Sequence, residues 1–265
     1  MLACYKRGKA WASCSTSETA QNQRAGPPTR SVVWRDIGSF SRTSANGKSA
    51  RNFVVSIAPS VSYLPNAWQE RYNTAMAKIL AFAGSTRRDS WNKKLVQVAL
   101  AGAEAVGAET TFLDLRDLPL PLYDEDDERE HGLPENALTL KALFKEHNGF
   151  LISSPEYNSS ISGVLKNVID WASRPAPEEA PLECFRGKTA TLMSASTGAL
   201  GGIRGLVAVR SLLGNIGVLV LPTQLALPKA HEAFTEDGQL RDALKQAEVY
   251  KLGADLHEIC RRLRG

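Results

Sequence analysis

No stretch of this sequence approaches the roughly 18 to 20 consecutive apolar residues that a helical membrane span needs; the apolar runs at 150–152 and 218–227 are short. Cysteine is sparse, at positions 4, 14, 184 and 260 only. That spacing is neither the close pairing of a zinc site nor a redox dithiol, so a disulfide scaffold is excluded and a reducing compartment is the simpler expectation. The 20 glycines and 13 prolines are too few for a collagenous or low-complexity chain. A dinucleotide fingerprint is missing, because Gly198, Gly201, Gly202 and Gly205 lack the G-x-G-x-x-G spacing, and there is no Walker loop. The four histidines, His131, His147, His231 and His257, are scattered and none precedes a nucleophile motif, which argues against a hydrolase triad.

What is present is the composition of a globular chain, with 43% apolar and 23% charged residues, enough to bury a core. The net charge of +4 conceals an asymmetry: residues 1–75 carry 10 Lys+Arg against 3 Asp+Glu, and residues 76–265 carry 22 against 25. The basic excess sits in the first quarter and the remainder is mildly acidic, so neither nucleic acid nor a membrane is expected as partner. That first quarter also holds 11 Ser and 5 Thr, with Gly26-Pro27-Pro28, Pro59 and Pro65 interrupting any period. It reads as a disordered, basic, Ser- and Arg-rich extension with one short strand at 53–57. Such a segment is either an organellar transit peptide or upstream sequence ahead of a true start at Met76. Residues 76–265 are expected to form the folded domain, in the cytoplasm, or in an organelle if the extension is a genuine transit peptide.

From Lys78 onward short apolar runs alternate with amphipathic segments, the pattern of an α/β fold with a parallel sheet. Strands are expected at 78–83, 109–114, 149–154, 188–194 and 218–221. Between the first two, Trp91, Leu95, Val98 and Ala99 recur on one helix face, with Ser90 placed to cap it. A cleaner stripe runs through Ile161, Val164, Leu165, Val168, Ile169 and Ala172. The terminal stripe passes through Leu244, Leu256 and Leu263 and makes Cys260 a core residue. The carboxylate run from Asp124 to Glu130 lacks the spacing of a calcium loop and reads as a solvated connection, so no metal is expected.

Five βα units have the size of a doubly wound domain, in which ligands bind beyond the carboxyl ends of the strands. The loop after the first strand, Gly84-Ser85-Thr86-Arg87-Arg88-Asp89-Ser90-Trp91-Asn92, brings hydroxyls, an amide and a guanidinium to a helix N-terminus. That set suits a phosphate monoester, although it also suits an ordinary capped helix with a solvated basic loop. The loop after the third strand, Ser154-Pro155-Glu156-Tyr157-Asn158-Ser159-Ser160, offers an aromatic and several polar groups to a flat ligand. After the fourth strand, Ser196-Thr197-Gly198-Ala199-Leu200-Gly201-Gly202 can bring backbone N–H groups against a ligand edge.

Three motifs in this order carry a resemblance: Gly84-Ser85-x-Arg87-x-x-Ser90-x-Asn92; Pro155-Glu156-Tyr157-Asn158-x-Ser160-x-x-Gly163-x-Leu165-Lys166-Asn167-x-Ile169-Asp170-Trp171; and Ser196-x-Gly198-x-x-Gly201-Gly202. They resemble the NADPH-dependent FMN reductase family, which includes quinone, chromate and azo-dye reductases. The likeness covers Ala77 to about Leu263 and none of the first 75 residues. It implies a flavodoxin-like, doubly wound, five-stranded parallel sheet of order 2-1-3-4-5. It also implies FMN as cofactor, with its phosphate on Ser85, Arg87, Ser90 and Asn92, its ring system against Pro155, Glu156, Tyr157 and Asn158, and Ser196, Thr197 and Gly198 completing the ring's surroundings. NADPH or NADH is the implied co-substrate and quinones or similar small molecules the acceptors, with no catalytic acid or base required. Relatives pair as homodimers or homotetramers, with the helix at 202–215 a candidate interface. Ser162 stands where many relatives carry Pro, which leaves the start of the third helix less constrained. An electron carrier of flavodoxin type and a non-catalytic flavin or nucleotide sensor are the alternative readings.

Overall fold

The apolar runs become five parallel strands in a computed structural model that describes residues 76–264; the extension and the strand expected at 53–57 lie outside the described residues. The strands are β1 (Lys78–Ala83), β2 (Glu109–Leu113), β3 (Gly149–Ser153), β4 (Thr189–Ala195) and β5 (Leu219–Leu227), hydrogen-bonded in the order β2-β1-β3-β4-β5. Leu80 pairs with Thr111 on one side and Phe150 on the other, which places β1 inside the sheet. The central strands β3 and β4 are buried along their whole length, whereas the edge strands β2 and β5 are partly exposed. That division is what near-continuous apolar runs dictate for strands covered on both faces.

Helices α1 (Trp91–Glu104), α2 (Glu125–His131), α3 (Glu135–Glu146), α4 (Gly163–Ser173), α5 (Ile203–Asn215), α6 (Ala230–Ala233) and α7 (Ala243–Arg264) complete the fold. Alternate residues of β1 enter opposite cores, as the two-residue period of a strand requires. Ile79 and Ala81 join Leu95, Ala99, Leu252, Leu256 and Cys260 beneath α1 and α7. Leu80 and Phe82 join Phe144, Leu165, Ile169, Leu206 and Val209 beneath α3, α4 and α5. The α1–α7 crossing brings backbone against backbone: a Cβ on Gly253 would overlap the Ala99 carbonyl oxygen, and one on Gly102 would overlap that of Tyr250. Among the described residues no helix is long and apolar enough to cross a membrane.

Two elements depart from the sequence reading. The carboxylate run read as a solvated connection is helix α2, capped by the Asp124 side chain, which accepts the Asp126 N–H at 2.8 Å, and carrying four acidic residues in its first turn. Acidic groups at that end complement the helix dipole, and a helix with no buried residue shows no apolar stripe to read. β5, expected only over 218–221, runs to Leu227. Its ladder slips between Ala190 and Leu192, so that Leu221, Pro222 and Thr223 all face the stretch around Thr191. A proline is tolerated because this is an edge strand at a bulge. Arg210 of α5 lies over that bulge, donating to the carbonyls of Val220 at 3.3 Å and Pro222 at 3.4 Å and to Gln224 Oε1 at 2.9 Å.

Candidate functional site

The carboxyl ends of β1, β3 and β4 deliver three loops to one cleft of about 260 Å³. From the first loop come Ser85, Arg87, Ser90, Trp91 and Asn92; from the second, Pro155, Glu156 and Tyr157; from the third, Ala195, Ser196 and Thr197. Nine of the eleven residues expected at the site therefore share one cavity. Asn158 and Gly198 do not line it. Trp91 and Ala195 do, and neither was expected there: Trp91 fits its helix stripe, and its stacking on Phe234 at 5.8 Å between ring centroids joins residues far apart in sequence.

At the first loop, Ser90 stands at the N-cap position of α1 in extended backbone, as expected, but its hydroxyl makes no capping hydrogen bond. The Lys93 N–H instead reaches the Ser90 carbonyl at 3.0 Å. Asn92 is 4% exposed and braces three elements. Its Oδ1 accepts from the Ser153 hydroxyl at 2.8 Å and from the Ala195 N–H at 2.9 Å, while its Nδ2 donates to the Ala195 carbonyl at 2.9 Å. A primary amide has two N–H donors, and the bond to Ala195 uses one of them on a residue that lines the cleft. Arg87 has its backbone N–H on Ser85 Oγ at 3.3 Å, and its guanidinium makes no ion pair among the described residues.

The second loop is rigid. Tyr157 and Ser160 exchange two backbone hydrogen bonds of 3.0 Å, with Asn158 at φ 52° and Ser159 at φ 65° between them. Two left-handed residues in a two-residue connection form a type I′ turn, for which Asn is favoured. The Glu156 side chain reaches α5, accepting the Gly205 N–H at 3.0 Å and pairing with Arg204 at 2.7 Å. Burial raises the Glu156 pKa, yet the Gly205 N–H and the Arg204 guanidinium together hold it below the usual carboxylate range. Glu156 is thus a cap for α5 from 49 residues upstream. Gly202, at φ +90°, begins α5 where a Cβ would overlap the Ser194 hydroxyl, so only glycine fits the third loop at this point. The start of α4 is not loose, contrary to the expectation drawn from Ser162. That residue is 2% exposed, caps the Leu165 N–H at 3.1 Å and donates to the Gly84 carbonyl at 2.6 Å. A hydroxyl supplies two anchors where a proline ring would supply stiffness alone.

Chemically, the first loop is rich in hydrogen-bond donors: the Arg87 fork, the Asn92 amide, the Ser85 and Ser90 hydroxyls and the start of α1, where the Ser90 side chain makes no cap. Such a set fits a phosphate monoester, and the adjoining Pro155, Tyr157 and Trp91 fit the flat ring system of FMN.

Residues 77–232 match the sequence profile of the NADPH-dependent FMN reductase family. A probable NADPH:quinone oxidoreductase 2 of Oryza sativa subsp. japonica is 33% identical over 192 residues, covering 71% of this chain and 91% of its own length. An NAD(P)H-dependent FMN reductase of Pseudomonas aeruginosa is 33% identical over 189 residues, covering 71% and 97%. Among solved structures, the flavoenzyme NAD(P)H:(acceptor) oxidoreductase FerB from Paracoccus denitrificans superposes with a TM-score of 0.61 at 28% identity, covering 71% of this chain and 98% of that one.

Proposed function

This chain belongs to the NADPH-dependent FMN reductase family, and on that premise we propose that it is an FMN-dependent NAD(P)H oxidoreductase acting on quinones or similar acceptors, with Ser85, Arg87, Ser90 and Asn92 as the phosphate grip. The observation that supports this site is the gathering of Ser85, Arg87, Ser90 and Asn92 in one cleft at the start of α1, with the Arg87 guanidinium in no ion pair among the described residues and the Ser90 side chain making no cap. When bound, FMN supplies the hydride acceptance and electron delivery that none of the lining side chains can perform. The chain's own task is to bind and orient. Arg87 neutralises the phosphate, and Asn92 holds the ends of β3 and β4 in register while donating one N–H to it. Pro155 and Tyr157 flank the ring, with Tyr157, 57% exposed, at the open side where substrates arrive. Glu156 keeps the second and third loops at a fixed separation through α5, and Ser196 and Thr197 close the third side. Asn158 belongs to this proposal as the turn residue that aims Tyr157, and Gly198 as a backbone member of the third loop.

The test is a visible absorption spectrum of the purified protein before and after anaerobic NADPH. A flavin spectrum that bleaches on NADPH alone is expected; a chain that neither carries nor takes up FMN overturns the reading, and slow bleaching points to an electron carrier. Arg87→Ala removes a charge-assisted contact and should weaken FMN binding roughly 10- to 100-fold, measured by flavin fluorescence, with little change in Tm. Because reductant and acceptor would meet the ring from the same open side, initial-rate plots should be parallel; intersecting lines count against a shared face.

Assembly and location are part of the same proposal. Leu200, Ile203 and Val207 are 55%, 45% and 66% exposed around the first turns of α5, an apolar strip that suits a second copy of this chain, as a homodimer or homotetramer. Light scattering tests this. The cytoplasm suits the sparse cysteines, and an organelle would follow if residues 1–75 direct transit.

A further inference from the structure

We infer that Arg116 recognises the 2′-phosphate of NADPH, at the far end of a groove that begins at the proposed flavin cleft. This rests on the reductase reading, which makes a nicotinamide dinucleotide the reductant. Three cavities adjoin one another. The second, of about 390 Å³, shares Ser85, Arg87 and Tyr157 with the flavin cleft. The third, of about 360 Å³, shares Thr86 and Val164 with the second and ends at Arg116. A group seated in the third is separated from the first by the whole of the second, so only an elongated molecule fills it while keeping its reacting end at the flavin. A dinucleotide has that form. The middle cavity has room for the linking pyrophosphate, since nothing lies within 4 Å of the point where Gly163 would carry a Cβ.

The far cavity has the chemistry of an adenosine phosphate site. Leu115, Leu118, Leu120, Val164 and Val168 make it apolar enough for a flat base. Its wall is pinned: Asn167 accepts the Tyr123 N–H at 2.8 Å and donates to the Pro121 carbonyl at 2.8 Å, to which Trp171 Nε1 also donates at 2.8 Å. The Arg116 backbone N–H is held by Asp114 Oδ1 at 3.0 Å. That carboxylate is ion-paired with Lys93 at 2.7 Å, and the Arg116 guanidinium itself makes no ion pair or side-chain hydrogen bond among the described residues. A fixed backbone thus presents a fork of donors beside an apolar slot, with the Asp114 carboxylate, itself paired with Lys93, within electrostatic reach of it. A guanidinium fork matches a phosphate monoester and gains far less from a hydroxyl, which is the difference between NADPH and NADH. A small acceptor bound in the far cavity would be out of reach of the flavin, so acceptor turnover does not depend on Arg116.

Titration calorimetry of the protein supplied with FMN, using adenosine 2′,5′-bisphosphate and AMP as probes, reads the site without turnover. The wild type is expected to bind the bisphosphate about tenfold more tightly than AMP or better, Arg116→Gln to bind the two alike, and Arg116→Lys to fall between. In steady state Arg116→Gln should raise the KM for NADPH by about the same factor, with kcat and the KM for NADH within roughly twofold. Arg241→Gln, at another exposed arginine without an ion pair among the described residues, should preserve the discrimination. If the wild type does not favour the bisphosphate, or if Arg116→Gln keeps the preference, the assignment is overturned. Failure of the wild type to take up FMN would strike the reductase reading instead, because the adenosine probes are compared independently of flavin reduction.

Discussion

Asn92→Ala should destabilise the fold by about 3 kcal/mol or more, a fall in Tm on the order of 10 °C, and should release FMN as well. The alanine leaves three buried partners with nothing to bond: the Ser153 hydroxyl and both the N–H and the carbonyl of Ala195. Ser153 is 0% exposed and Ala195 4%, and a buried polar group without a partner is unfavourable by about 1 to 3 kcal/mol. The same amide sets the distance between the start of α1 and the ends of β3 and β4, so phosphate donors and ring contacts lose their common frame. Arg87→Ala separates the two roles, since it should weaken flavin binding while leaving Tm nearly in place. Calorimetric unfolding and flavin fluorescence on the pair of variants check this. An Asn92→Ala protein as stable as the wild type would remove the brace from the account.

Gly253→Ala is the second large effect. Its methyl would meet the Ala99 carbonyl oxygen and, at 2.8 Å, the Ala103 nitrogen. These are backbone atoms of α1 and cannot rotate away, so the two helices must part and open the core around Leu95, Ala99 and Leu252. Overpacking of this kind is unfavourable by about 1 to 3 kcal/mol and occasionally more, and the better helix propensity of alanine offsets only about 1 kcal/mol of it. A net loss of about 2 kcal/mol predicts a Tm lower by roughly 4 to 8 °C. Gly214→Ala, in α5, is the contrasting variant: nothing lies within 4 Å of its Cβ position, so it should gain up to about 1 kcal/mol. If both variants shift Tm in the same direction, close approach is not the reason for glycine at 253.

The contrast between these residues shows what the chain reveals before folding. β1 is legible to the residue, because an apolar run between a charged start and Gly84 has one reading. The donor-rich loop after β1 is legible for a related reason: its polar residues are contiguous and follow a strand. The Asn92 brace is not, since its partners Ser153 and Ala195 are 61 and 103 residues away and nothing local marks them. Glu156, which lines the cleft, also caps a helix formed much later in the chain, a pairing that no short-range spacing encodes. Helix α2 escapes because its charges hide any period, and the true length of β5 escapes because Pro222 reads as a stop when its strand neighbours are unknown. Types and order of elements follow from local pattern; tasks of single polar side chains follow from contacts made across the sheet.

Arg210 has a consequence for how this molecule keeps company with itself. An open sheet margin offers unpaired carbonyls and amides that recruit strands from other chains, a route to fibrils. On the β5 side two of those carbonyls, on Val220 and Pro222, are already taken by the guanidinium, and Pro222 has no amide to offer. The bulge and its arginine thereby act as a selvedge, a finished border at which the weave stops.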